Sequence, residues 1–168
     1  MKTNKRLALL LGGLLALSVL LTGYLDGKEK KKLKNDICSA ANGKNICSES
    51  NTCGSATSAC EIDVKRSGDD SATATPSFSG AKSNVPFCVK AGTTITFKST
   101  SKNTGFVVDF GKSSPFDSGA VIMGGDDRPR SVPAKKPGCY TYSVGACTAG
   151  TIYGMCGEEV VQLVVSPK

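Results

Sequence analysis

The 168-residue sequence contains no histidine and no tryptophan, and aromatic residues make up only 6% of it. Without histidine, the commonest general base, the usual activator of serine and cysteine nucleophiles and the commonest metal ligand are all missing. No nucleophile elbow or phosphate-cradling glycine loop is present, so the sequence reads as non-catalytic. Glu158-Glu159 opens a strand, where neighbouring side chains point to opposite faces and do not form a catalytic carboxylate pair. Asp69-Asp70 reads as an ordinary turn, at most a contributor to a weak Ca²⁺ site. No stretch after residue 24 repeats apolar residues at helical spacing. With so few aromatics, the core is expected to rest on Val, Ile, Leu and a few Phe and Tyr. The 19 glycines, among many Ser and Thr, indicate a turn-rich all-β chain.

The length fits one domain plus a short extra region once the N-terminus is set aside. Residues 1–24 begin with Lys2, Lys5 and Arg6 and continue as an apolar run from Leu7 to Gly23, the layout of an export signal. LLTG at 20–23 looks like a lipoprotein processing box, but Tyr24 stands where the lipidated cysteine belongs, so no thioether can form. Two fates stay open: cleavage, for which Ala16-Leu17-Ser18 offers small residues, or retention of residues 7–23 as a membrane tether. Taking the three basic residues of this segment from the formal +7 leaves +4. The charge left is dominated by Lys28, Lys30, Lys31, Lys32 and Lys34, in a solvated tether over 25–36. No aromatics interleave with that run, so nucleic acid is not an expected partner.

All eight cysteines follow the export segment: Cys38, Cys47, Cys53, Cys60, Cys88, Cys139, Cys147 and Cys156. Their successive spacings of 9, 6, 7, 28, 51, 8 and 9, with no histidine, do not resemble the close pairs of zinc sites. An even count in an exported protein reads as disulfides, whose connectivity sequence does not resolve. Residues 37–60 hold four of these cysteines among small polar residues. This extension cannot build a core alone, so it either pairs internally or is stapled onto the domain behind it.

From Glu61 the pattern becomes short strands at 61–65, 85–90, 93–99, 105–110, 120–123, 130–134, 139–144 and 158–166. Ile95 and Phe97 share one face, as do Tyr140, Tyr142 and Val144. The segment EEVVQLVVS at 158–166 is the most apolar and is expected to be the longest and central strand. An antiparallel-rich sandwich follows.

The succession EIDVK, VPFCVKAGTTITFKS, TGFVVDF, PGCYTYSV and GMCGEEVVQLVV resembles the plastocyanin-like cupredoxins, the blue-copper family, over residues 61–168. That resemblance implies a Greek-key β-sandwich and a copper site of two His, one Cys and an axial Met. The first His position falls at Thr104 or Gly105, the Cys position at Val144, the second His at Cys147 and the Met at Met155. Only the weakest ligand survives, so no type 1 centre and no cofactor is expected. The alternative is a soft Cu(I) site of Cys147, Met155 and Cys156 for copper handling or electron transfer; the bland reading of the same residues is a Cys147–Cys156 bridge bracing the loop, with Met155 in the core.

The mixed-charge stretch MGGDDRPRS reads most simply as a solvated turn with local ion pairs. Its functional reading is a recognition loop of Asp126, Asp127, Arg128 and Arg130, because loops at a sandwich end commonly carry binding sites. The loop at Gly145–Gly154 is a second candidate. Together these readings give an exported, non-catalytic module, periplasmic, cell-surface or extracellular, that meets an envelope protein or surface component. Thiol titration of the natively exported protein, denatured but not reduced, separates the two cysteine chemistries. Full disulfide pairing gives no free thiol, whereas two or more would support a thiolate site.

Overall fold

Alternation of large and small side chains sets the strands. A computed structural model describes residues 36–38, 46–68, 71–148 and 157–168. The export segment, most of the tether, Asp69-Asp70, Met155 and Cys156 lie outside these residues. Nine strands follow one another: β1 (Cys60–Ser67), β2 (Ser71–Pro76), β3 (Phe87–Lys90), β4 (Thr94–Lys98), β5 (Thr104–Asp109), β6 (Val121–Gly125), β7 (Arg130–Pro133), β8 (Gly138–Thr148) and β9 (Gly157–Ser166). A single 3₁₀ turn at Glu49–Asn51 is the helical element among the described residues. None of their helices is long and apolar enough to cross a membrane.

The strands form a four-stranded sheet, β2-β1-β4-β7, and a five-stranded sheet, β3-β9-β8-β5-β6. Both are mixed. β1 runs parallel to β4 and β3 parallel to β9, while the other pairings are antiparallel. Ile62, Val64, Ile95 and Phe97 of the smaller sheet bury against Phe106, Val108, Tyr142, Val144, Val161, Leu163 and Val165 of the larger. This is a β-sandwich with a period-two core.

Three expectations are corrected. β8, at 11 residues, is longer than the 10-residue β9 and takes the middle of its sheet. β8 does not stop at Val144: Gly145 to Thr148 stay in register with β5, so the first part of the expected Gly145–Gly154 loop is strand. β2 had no counterpart in the pattern, because its inward residues are only Ala72, Ala74 and Pro76, with none of the large apolar side chains that mark a strand.

Aromatic side chains matter more to the core than their number suggested. Phe110 stacks on Tyr142 with centroids 4.8 Å apart and meets Phe116 edge-on at 5.1 Å. Phe97 completes the cluster, 6.5 Å from both Phe116 and Tyr142. Such contacts add about 0.5–1.5 kcal/mol each beyond the area they bury. Phe116 comes from the loop between β5 and β6 and closes this end of the sandwich.

The cysteine-rich extension is bonded to the sandwich. Cys38 bridges to Cys139 on β8, Cys47 to Cys88 on β3, and Cys53 to Cys60 at the start of β1. Both outcomes left open by the sequence therefore occur, since the third bridge is internal to residues 37–60. Three disulfides among the described residues fit an oxidising compartment. Gln162, buried on the outer face of β9, receives the Ile37 amide at 2.9 Å and donates to Asp36 at 2.5 Å.

Tyr142 is fully buried, and among the described residues its hydroxyl has no hydrogen-bond partner. Burial pushes its phenol pKa far above the ordinary value of 10. The folded state therefore keeps the proton that an unfolded chain releases near pH 10, and this contribution to stability is lost as pH rises beyond that point. Tyr142→Phe removes an orphaned hydroxyl, so stability at pH 7 should be unchanged or higher by about 1 kcal/mol. Urea unfolding at pH 7 and pH 11 should show a smaller alkaline loss for the variant. Some loss persists, because burial also raises Tyr140.

Candidate functional site

The end of the sandwich opposite the aromatic cluster collects the residues singled out by sequence. β5 begins there with Thr104 and Gly105, and β8 ends there with Cys147 and Thr148. The β5–β8 register sets Gly105 directly against Cys147 and Thr104 against Thr148. Val144 lies three residues earlier on β8, opposite Val108. Of the positions that the cupredoxin resemblance assigns to copper ligands, Gly105 and Cys147 thus lie side by side, whereas Val144 lies three register positions away and faces the core. Their chemistry does not fit the metal. Thr104 is buried with its hydroxyl on the Lys102 carbonyl at 3.3 Å, Gly105 has no side chain, and Val144 is apolar and fully buried. Cys147 is disulfide-bonded, and in that state it offers no thiolate. Its partner lies outside the described residues, as do Met155 and Cys156. Among the described residues no group of three or more His, Cys, Asp or Glu is placed to hold a metal ion.

The charged loop of Asp126, Asp127, Arg128 and Arg130 forms the rim of the same end. β6 leaves the sheet at Gly124-Gly125, and the chain turns back tightly. Gly125 and Arg128 exchange main-chain hydrogen bonds at 3.1 and 3.3 Å. Gly124 is required by close approach. A Cβ there would lie 2.5 Å from both the Arg128 carbonyl and the Phe106 ring, and 2.9 Å from Arg130 Cγ. The loop can therefore fold down over β5 only because residue 124 has no side chain.

The four charged residues divide by role. Asp126 is bound locally: its carboxylate accepts the Asn103 amide at 2.8 Å, and its own amide donates to the Thr104 carbonyl at 3.1 Å. Asn103 has φ of 54°, a left-handed conformation that asparagine tolerates well. Asp126 thus locks the turn entering β5 to the turn leaving β6. Asp127, Arg128 and Arg130 are exposed. Asp127 and Arg128 sit 3.6 Å apart in a solvated ion pair that adds little to stability. These three, whose carboxylate and guanidinium groups hold no other element in place, present charge to solvent.

Asp63 was not singled out by sequence, yet it anchors this end from the smaller sheet. Its carboxylate accepts the Thr100 amide at 3.0 Å and the Thr100 hydroxyl at 2.8 Å, and pairs with Lys65 at 2.8 Å. Partial burial pushes the carboxyl up, but the hydrogen bonds from Lys65 and Thr100 outweigh it and hold the group below its usual value. The β4–β5 connection that carries Asn103 is thereby fixed at its start. The partner, 37 residues away, left no local signal in the sequence.

No family model, curated protein or solved structure matches the chain.

Gly124→Ala tests how the loop is seated. The added methyl meets main chain and a core ring rather than a flexible side-chain end. The expected cost is about 2 kcal/mol or more, read by chemical denaturation, with new mobility at Asp126–Arg128 in NMR relaxation.

Proposed function

We propose that the chain is an exported, copper-free, cupredoxin-like Greek-key module that acts without catalysis, as a binding or structural component of the cell envelope. One observation carries this reading. At the end of the sandwich where a cupredoxin would hold copper, Gly105 and Cys147 face each other across the β5–β8 ladder, and none of Thr104, Gly105, Val144 and the disulfide-bonded Cys147 offers an imidazole nitrogen or a thiolate. That end is rimmed instead by a locked turn presenting Asp127, Arg128 and Arg130. A rigid, charged rim on a disulfide-linked scaffold suits recognition of a protein or surface component better than it suits a small substrate. Residues 7–23 would tether the module to the membrane if retained, and a periplasmic, cell-surface or extracellular setting agrees with the bridges. A Cys147–Cys156 bridge would hold the neighbouring loop in the place of the metal.

The experiment compares the purified, natively oxidised protein with Asp127→Ser/Arg128→Ser/Arg130→Ser in crosslinking to envelope fractions of the producing cell. Asp126 is left alone because it holds the fold of the turn. A specific crosslinked species should fall by about tenfold in the variant, as truncation of a few central contacts does. An unchanged yield sinks the rim as the recognition surface.

A further inference from the structure

A sandwich of two open sheets has four edge strands, here β2 and β7 in one sheet and β3 and β6 in the other. Unpaired main chain on such edges invites pairing with another strand. Two of these edges are covered and a third is interrupted by proline. On β2, Asn84 takes the place of a neighbouring strand: its side chain accepts the Ala74 amide at 2.7 Å and donates to the Ala72 carbonyl at 3.2 Å. Its amide donates to the Ala74 carbonyl at 2.8 Å. On β3, Thr52 bridges to Cys88, and the Cys53 amide donates to the Cys88 carbonyl at 2.8 Å. On β7, the bond from the Ala134 amide to the Thr93 carbonyl sets the phase, so that Pro133, which has no N–H, faces outward.

β6 is different. Bonds from Phe110 to Ala120 and from Asp126 to Thr104 set the phase of its ladder with β5. Ile122 and Gly124 therefore turn their main-chain groups toward β5, and Val121 and Met123 turn theirs away from the sheet. Among the described residues no partner meets those outward groups. The same two residues are the exposed large hydrophobics of the described chain, at 50% and 65%. An open backbone edge and the apolar side chains thus coincide on one strand.

We propose that β6 pairs antiparallel with β6 of a second copy of this chain, about a two-fold axis at Ile122, joining two five-stranded sheets edge to edge. This goes beyond the recognition reading and does not depend on it. The strand is self-complementary in that register. Each Val121 stands opposite Met123 of the other copy, its N–H reaching that residue's carbonyl and its carbonyl accepting that residue's N–H. Both outward residues are satisfied, and the exposed side chains cover one another across the seam. No charged residue lies between Ala120 and Gly125. A two-fold repeats each of these pairings.

Sedimentation equilibrium of the oxidised protein from micromolar to millimolar concentration should show its mass rise to twice the monomer value. Val121→Lys/Met123→Lys places like charges across the seam and should weaken association by about tenfold or more. Amide exchange in the wild type gives a second reading that requires no variant: Val121 and Met123 should slow with concentration while the β7 edge does not. Monomer mass throughout the range, or a dimer that the double variant and those two amides leave unaffected, would overturn the proposal.

Discussion

Val161, Leu163 and Val165 bury one face of β9 in the sandwich, while Gln162 and Val164 are buried on the other. A sheet apolar on both faces needs a cover for each, and the second cover is the cysteine-rich extension. Its peptide groups and Asp36 satisfy Gln162, and the Cys38–Cys139 bridge holds it beside Val164, the register partner of Cys139. The extension has almost no large apolar residues of its own. Covalent attachment does for it what core burial does for the strands behind.

The same strategy recurs on a smaller scale. Main-chain groups that a longer sheet would pair with another strand are met by single residues: Asn84 beside β2, Cys53 beside β3, Asp126 between two turns. Glycine makes room where the chain must come closest, as at Gly124 over Phe106. The molecule is rigid at the rim because the contacts that hold the rim are short, polar and anchored in both sheets, with Asp63 reaching from the four-stranded one.

Much of the sandwich was legible in the sequence. Alternation identified β1, β4, β5 and the first half of β8, because Ile, Val, Phe and Tyr fall on every second position. β2 was invisible, since alanine at 72 and 74 carries too little hydrophobic contrast beside serine and threonine. The apolar run of β9 marks a strand covered on both faces rather than the centre of a sheet. Gly145-Ala146 looked like a turn, but small residues continue a strand when both neighbours are long enough to pair with it. At the candidate site, the charged cluster stood out in the chain, but the division of labour within it did not. Asp126 is committed to Asn103, 23 residues away, and only the fold brings them together.

The bridges also impose an order in time. The chain is made from its N-terminus, and the halves of the Cys53–Cys60 bridge emerge seven residues apart, so that pair can close almost at once. Cys38 must wait for a partner 101 residues behind it. Through that interval its thiol shares the compartment with Cys47, Cys53, Cys60 and Cys88, any of which can capture it first. The cover of β9 is thus fastened late, and an early wrong pairing has to be exchanged before it can be seated.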